Sequence, residues 1–167
     1  DADAGRIKEV EIACRAERLA IRPKLVVDAS GEGDLAALAG AGIHKGDPEA
    51  GRTLHMSLIA TMYDTGKPVT PFLPPVLEPS ESDDELPGFN GPGRRSDGSL
   101  YVSMTKVMGH DPTDPFSLSD AELEARDQLA RVVHYLQRTK CPAHVLASTG
   151  SRIGIREGRR VVGDYVI

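Results

Sequence analysis

Apolar and polar residues alternate most cleanly over residues 99–108, where Leu100, Val102, Met104 and Lys106 share one side, and this spacing predicts a strand. Residues 52–63 predict another, with Leu54, Met56, Leu58 and Ala60 on one face and Thr53, His55, Ser57 and Ile59 on the other. Residues 5–27 predict a β-hairpin: Ile7, Val10 and Ile12 punctuate the first strand, Ala16 and Glu17 make the turn, and Leu19 and Ile21 alternate with Ala20 and Arg22 on the return. Pro23 cannot donate to a ladder, so a register break is expected before Leu25. The short apolar run Leu25, Val26, Val27 predicts a buried strand, followed by a compact helix over Leu35, Ala36, Ala37, Leu38 and Ala39 that stops at Gly40 or Gly42.

The period changes to that of a helix after Ser119. Leu129, Val132, Val133 and Leu136 follow the i, i+3, i+4, i+7 rule. Ser119 with Glu122 predicts a capping box, Leu118 and Leu123 a hydrophobic staple, and Pro142 a stop near Thr139. Residues 143–167 predict short strands broken at Gly150, Gly154 and Gly158. Residues 41–52 read as a loop, and residues 64–98, which hold most of the prolines, as a long loop or lid. The fold class expected from these parts is α+β, an antiparallel sheet with one long helix.

Composition narrows the function. The chain has 167 residues, of which 40% are apolar, enough for a modest core. Twenty Lys+Arg against 25 Asp+Glu give a net charge of −5 with no basic stripe, which argues against nucleic acid as a partner. No apolar run approaches a membrane span and the polar N-terminus is no signal peptide, so no membrane partner is expected. Cys14 and Cys141 lack C-x-x-C spacing, so neither a zinc site nor a redox dithiol is indicated; buried free thiols in a reducing cytoplasm are expected. Aromatic content of 4% with no Trp leaves no stacking platform.

Candidate chemistry concentrates in a few places. Asp28, Ala29, Ser30, Gly31 and Gly33 let the backbone turn sharply and admit close approach of another molecule. The turn is not G-x-G-x-x-G, since Leu35 and Ala36 follow Gly33 and Asp34, and Asp34 would repel a phosphate, so a pyrophosphate is not expected there. His55 is the sharpest single candidate, either a polar group toward a ligand or a half-buried strand histidine. Arg152, Arg156 and Arg160 share one parity, while Glu157 and Arg159 share the other. Arginine suits a two-pronged grip on a carboxylate, and the alternative is an Arg–Glu157 structural pair. The acidic run at 80–85 reads as a solvated face, and Arg94 and Arg95 as exposed or as meeting an anionic substrate. Ser30 lacks a G-x-S-x-G setting, so a hydrolase is not expected.

Several segments in order resemble a known family. They are 26–40 (Val-Val-Asp-Ala-Ser-Gly-Glu-Gly-Asp-Leu-Ala-Ala-Leu-Ala-Gly), 51–58 (Gly-Arg-Thr-Leu-His-Met-Ser-Leu), 111–115 (Asp-Pro-Thr-Asp-Pro) and 153–166, which contains Arg156-Glu-Gly-Arg-Arg160. Together they resemble FAD-dependent oxidoreductases with a glutathione-reductase-like FAD domain; the middle, near 63–100, diverges. The resemblance implies FAD as cofactor, with Ala29, Ser30, Gly31, Gly33 and Asp34 beside it. It also implies a small-molecule substrate, hydride transfer to or from the flavin, and a functional Arg156 with Arg160, Arg159 and His55 behind it. The family's G-x-G-x-x-G strand and its closing Gly-Asp segment have no counterpart here, so an internal piece of a longer flavoprotein chain is expected. Residues 1–46 would then be part of the FAD-binding domain (hairpin, strand, short helix), and residues 47–167 the substrate or cap domain. Such a remnant leaves an apolar edge that invites association with a second copy. The competing reading is a non-catalytic, cap-like module that binds a ligand or partner chain.

Overall fold

The computed structural model describes residues 2–3, 6–47, 49, 51–88 and 91–165. Gly5, Pro48, Ala50, Phe89, Asn90, Val166 and Ile167, over which the hairpin, loop and last-strand expectations extend, lie outside the described residues. In chain order the first elements are β1 (Ala2–Asp3), β2 (Arg6–Ile7), β3 (Val10–Ala13), β4 (Arg18–Ile21), α1 (Asp34–Leu38) and β5 (Ile43–Lys45). They are followed by β6 (Ala60–Asp64), β7 (Gly93–Arg94), β8 (Leu100–Val102), α2 (Pro115–Arg138), β9 (His144–Thr149) and β10 (Arg159–Val161). The architecture is α+β. The chain divides into two compact units, Thr53–Glu157 and Asp1–Arg52 with Gly158–Ile167.

The unit Thr53–Glu157 holds the core. Its sheet runs β7-β8-β6-β9, all antiparallel. Met56, Leu58, Ala60 and Met62, with Leu100, Val102, Met104 and Val107, are buried in one cluster with Ala121, Ala125, Leu129, Val132, Val133 and Leu136 of α2. The helical stripe and the alternating strand therefore meet as their periods require. The expected strand over 52–63 is regular only from Ala60; before it, Met56 and Ser57 make isolated bridges, and Leu54 is exposed rather than buried.

α2 begins a turn earlier than its expected capping box. The Asp114 carboxylate accepts from the Ser117 N–H at 2.7 Å, and Pro115 opens the helix where a missing N–H costs nothing. Ser119 instead donates to the Pro115 carbonyl, and Glu122 accepts from the Ile153 N–H at 2.9 Å. The other end, at Arg138 with Thr139 as cap, is where Pro142 predicts it. Its basic residues are not merely solvated. Arg138 pairs with Glu81 and Lys140 with Asp83, so the acidic run at 80–85 is strapped to the helix end, and both carboxyls are held below their usual pKa by these partners.

In the unit Asp1–Arg52 with Gly158–Ile167, β3 and β4 form the expected hairpin, closed by a Cys14 N–H to Glu17 carbonyl bond of 2.8 Å. Cys14, at that turn, is exposed rather than buried, whereas Cys141 of the other unit is buried and burial pushes its thiol pKa up. β4 ends at Ile21, before Pro23. Leu25 and Val27 belong to no strand and are 81% and 78% exposed, against the buried strand expected of them: among the described residues no strand pairs with this segment. Within the expected 41–52 loop, β5 pairs antiparallel with β10, setting Arg159, Arg160 and Val161 opposite Lys45, His44 and Ile43.

Candidate functional site

The site in the unit Thr53–Glu157 is built around three adjacent backbone segments. Met56 and Val107 exchange both backbone hydrogen bonds at 2.9 Å, and Ser57 and Gly154 exchange theirs at 3.2 and 2.8 Å. His55 thus enters a segment flanked on one side by the stretch carrying Lys106 and on the other by the stretch carrying Arg156. The Glu157 carboxylate accepts from the Leu54 N–H at 2.9 Å and ties the third segment to the first.

A bulge sets the direction of the side chains. Met56 pairs with Val107 and Ala60 with Val102, which leaves three residues between the pairs on one strand and four on the other. Thr105 fills the gap: its hydroxyl accepts from the Leu58 N–H at 2.7 Å and donates to the Leu58 carbonyl at 3.1 Å. Gln128 of α2 does the same for the next residue, accepting from the Lys106 N–H at 2.7 Å and donating to the Lys106 carbonyl at 3.1 Å. An extra residue turns the side chains beyond it to the opposite face. Lys106 is therefore exposed, off the buried face of Leu100, Val102 and Met104 that strict alternation assigns to it.

The result is an open cavity of about 640 Å³ lined by His55, Ser57, Tyr101, Ser103, Thr105, Lys106 and Arg156, and by Pro87, Gly88, Gly91 and Gly93 of the long loop. That size suits a small organic ligand. Gly88 lies so close to the Met104 backbone that a Cβ would sit 2.6 Å from the carbonyl, so only glycine lets the loop come in this far. No Asp or Glu occurs among the described lining residues. Burial pushes the His55 pKa down, and the positive charges of Arg156 and Lys106 push it the same way, so the imidazole is neutral near pH 7.

The other sequence candidates lie in the unit Asp1–Arg52 with Gly158–Ile167. The Asp28 carboxylate accepts from the Ser30 N–H (3.0 Å), the Ser30 hydroxyl (2.7 Å) and the Ala36 N–H (2.9 Å), which hold its pKa below the usual carboxylate value. The Ser30 hydroxyl in turn accepts from the Asp34 N–H at 3.0 Å. Gly31 and Gly33 take positive φ, 85° and 63°, and a Cβ on Gly33 would press Val161 at 3.3 Å. Asp34 pairs with Arg159, and Arg160 donates to the Gly46 carbonyl at 2.5 Å. Ala29, Ser30 and Gly31 themselves are exposed, and no partner for the N–H of Ala29 or Gly31 occurs among the described residues. The structure thus brings His55 and Arg156 to one cavity and gathers Ala29, Ser30, Gly31, Gly33 and Asp34 in one turn. Arg160 lies in β10, opposite His44 of β5.

The sequence model of the family described as FAD dependent oxidoreductase matches residues 1–167. The chain belongs to the FAD-dependent oxidoreductase family. No curated protein and no solved structure matches it. FAD is the cofactor of this family of oxidoreductases. The turn fits one part of that cofactor better than another. The N–H groups of Asp34 and Ala36 at the start of α1 are already taken by Ser30 and Asp28, and the Asp34 carboxylate is negative, so a pyrophosphate is not accommodated. The exposed 29–31 backbone, with Gly31 facing open space, does suit a flat ring laid against it.

Among the described residues, no helix of this oxidoreductase family member is long and apolar enough to cross a membrane, and no group of three or more His, Cys, Asp or Glu is placed to hold a metal. Sequence reasoning missed Lys106, Tyr101 and Ser103 as lining residues. Tyr101 and Ser103 lie on the polar side of the alternating strand, which looks the same whether it faces water or a ligand, and Lys106 reaches the cavity only through the bulge.

Proposed function

We propose that the unit Thr53–Glu157 is the substrate domain of the oxidoreductase and that its cavity binds a small organic substrate for hydride transfer with FAD. The observation that carries this reading is the convergence of His55 and Arg156, a hundred residues apart in sequence, on one cavity beside a third polar stretch. The exposed backbone of Ala29, Ser30 and Gly31 would lie against the flavin, with Gly33 and Asp34 holding the frame of that turn and Arg160 anchored to the Gly46 carbonyl. FAD, when bound, supplies the two-electron acceptor or donor for the hydride.

The remaining chemistry falls to the protein. Oxidising a carbon that bears an O–H or N–H removes a hydride from carbon and a proton from the heteroatom. An imidazole nitrogen of His55, neutral at pH 7, accepts that proton, and in the reverse direction the imidazolium returns it. Burial first, and then the charges of Arg156 and Lys106, lower the imidazole pKa. The Tyr101 and Ser103 hydroxyls line the cavity as hydrogen-bonding groups. Two free cysteines fit a reducing compartment, and we place the protein in the cytoplasm.

The pH dependence of flavin reduction tests this. With the best reductant from a panel of small alcohols, amines and hydroxy acids, the rate is flat near neutrality and falls in acid as His55 becomes protonated. Because burial and two cations lower its pKa, the acid limb lies below the 6.5 of an unperturbed imidazole. His55→Gln lowers the rate by about 10²–10⁴-fold and removes the limb. A limb unchanged in His55→Gln assigns the proton transfer elsewhere.

A further inference from the structure

We propose that Arg156 and Lys106 form an anion-binding end of this cavity and that the substrate is held there by a carboxylate. The inference rests on the cavity being the substrate site. In the Thr53–Glu157 unit Arg138 pairs with Glu81, Lys140 with Asp83 and Arg126 with Glu122, while other cations, Arg94, Arg95 and Arg152 among them, make no ion pair among the described residues; Arg156 and Lys106 are set apart by lining one cavity together. Arg156 and Lys106 have no side-chain partner among the described residues, and the cavity they line contains no carboxylate among those residues. Two cations facing one concave surface without a counterion attract an anion from solution.

Both cations stand on fixed backbone. Gln128 grips the Lys106 peptide from both sides, at 2.7 and 3.1 Å. Arg156 lies two residues beyond the Ser57–Gly154 bridge and one before Glu157, whose carboxylate holds the Leu54 N–H. His55 enters between them, so a negative group spanning the cations also faces the imidazole. Pre-positioned charges of this kind lose less on binding than mobile ones.

The headgroup is further narrowed by the donors already in use. Phosphates are commonly cradled by backbone N–H groups. Here the Lys106 N–H is taken by Gln128, the Ser57 N–H by Gly154 and the Thr105 hydroxyl by Leu58. Beside the Tyr101 and Ser103 hydroxyls, a planar guanidinium fork, an ammonium and the imidazole remain, and the fork matches the two oxygens of a carboxylate.

The test is isothermal titration calorimetry of the flavin-loaded protein with three probes sharing a ring: phenylacetate, phenylacetamide and phenyl phosphate. Phenylacetate is expected to bind at least about tenfold more tightly than the amide, the difference a charge-assisted hydrogen bond makes. Arg156→Gln and Lys106→Gln, both at exposed positions, each weaken it by about tenfold, and Arg156→Lys by less. By NMR, bound phenylacetate raises the pKa of the His55 imidazole, a shift that a purely structural role for the cations does not produce. Equal affinity for acid and amide, or unchanged binding in both Gln variants, overturns the proposal; tighter binding of phenyl phosphate overturns the carboxylate assignment. Reduction of the flavin by a neutral alcohol or amine, with no preference for phenylacetate, fails this inference and leaves the hydride-transfer reading standing. Failure of that reading is seen separately, as a protein that holds no flavin but still prefers phenylacetate.

Discussion

Arg156→Ala is expected to slow reduction of the flavin by substrate by about 10²-fold, the scale of losing one fixed charge in a catalytic site, while changing stability by about 0.5 kcal/mol or less. The two halves of this prediction have one cause. Arg156 is exposed and has no side-chain partner among the described residues, so the fold loses little with it. Its charge, by contrast, acts on the cavity: after burial, it is the larger of the two cationic influences that lower the His55 pKa. Removing it lets the imidazole rise toward 6.5, so the acid limb of the rate profile moves up in pH as the plateau falls. Stopped-flow reduction across pH, with a thermal melt beside it, reads all three effects. Unchanged kinetics remove Arg156 from the site; a large loss of stability makes it structural.

Thr105→Val carries the opposite signature, a large loss of stability. The replacement is close in shape, so it leaves no cavity to speak of. It removes a hydroxyl that both accepts from the Leu58 N–H and donates to the Leu58 carbonyl, in a position where Leu58 and Thr105 are 0% and 3% exposed. Two buried backbone groups are then without partners, at about 1–3 kcal/mol each. We expect about 2–4 kcal/mol in denaturant unfolding for Thr105→Val, and a smaller loss for Thr105→Ser, which keeps the hydroxyl. Because the same bulge aims Lys106 at the cavity, Thr105→Val also weakens binding of phenylacetate. Equal stability of the Val and Ser variants would show that the hydroxyl does not hold the bulge.

These two residues also mark where the sequence was legible and where it was not. α2 and the core face of β8 emerge directly from periodicity, because Leu129, Val132, Val133 and Leu136 and the set Leu100, Val102, Met104 each report a single buried side. His55 and Arg156 were reached from strand parity and from family resemblance together. Lys106 was not, because a one-residue bulge changes parity without any mark in the residues themselves, and Thr105 reads like any polar strand position until Leu58 is known to lie opposite. Leu25 and Val27 show the reverse failure. An apolar run records a capacity for burial, and burial requires a partner strand that a local pattern does not contain. The acidic run gave no hint of its anchors for a related reason: Arg138 lies 57 residues from Glu81. The start of α2 is ambiguous in the sequence because Asp114-Pro115 and Ser119-Glu122 are both valid helix openings, and the structure uses the first.

The central claim is that this chain works with FAD on a substrate in the Thr53–Glu157 unit. The visible absorbance spectrum of the protein, purified from its complete reading frame and then titrated with phenylacetate, tests it most directly. Flavin bands that travel with the protein and shift on titration are expected in the wild type, with the shift lost in Arg156→Gln. No flavin bands, even after incubation with FAD, would contradict it.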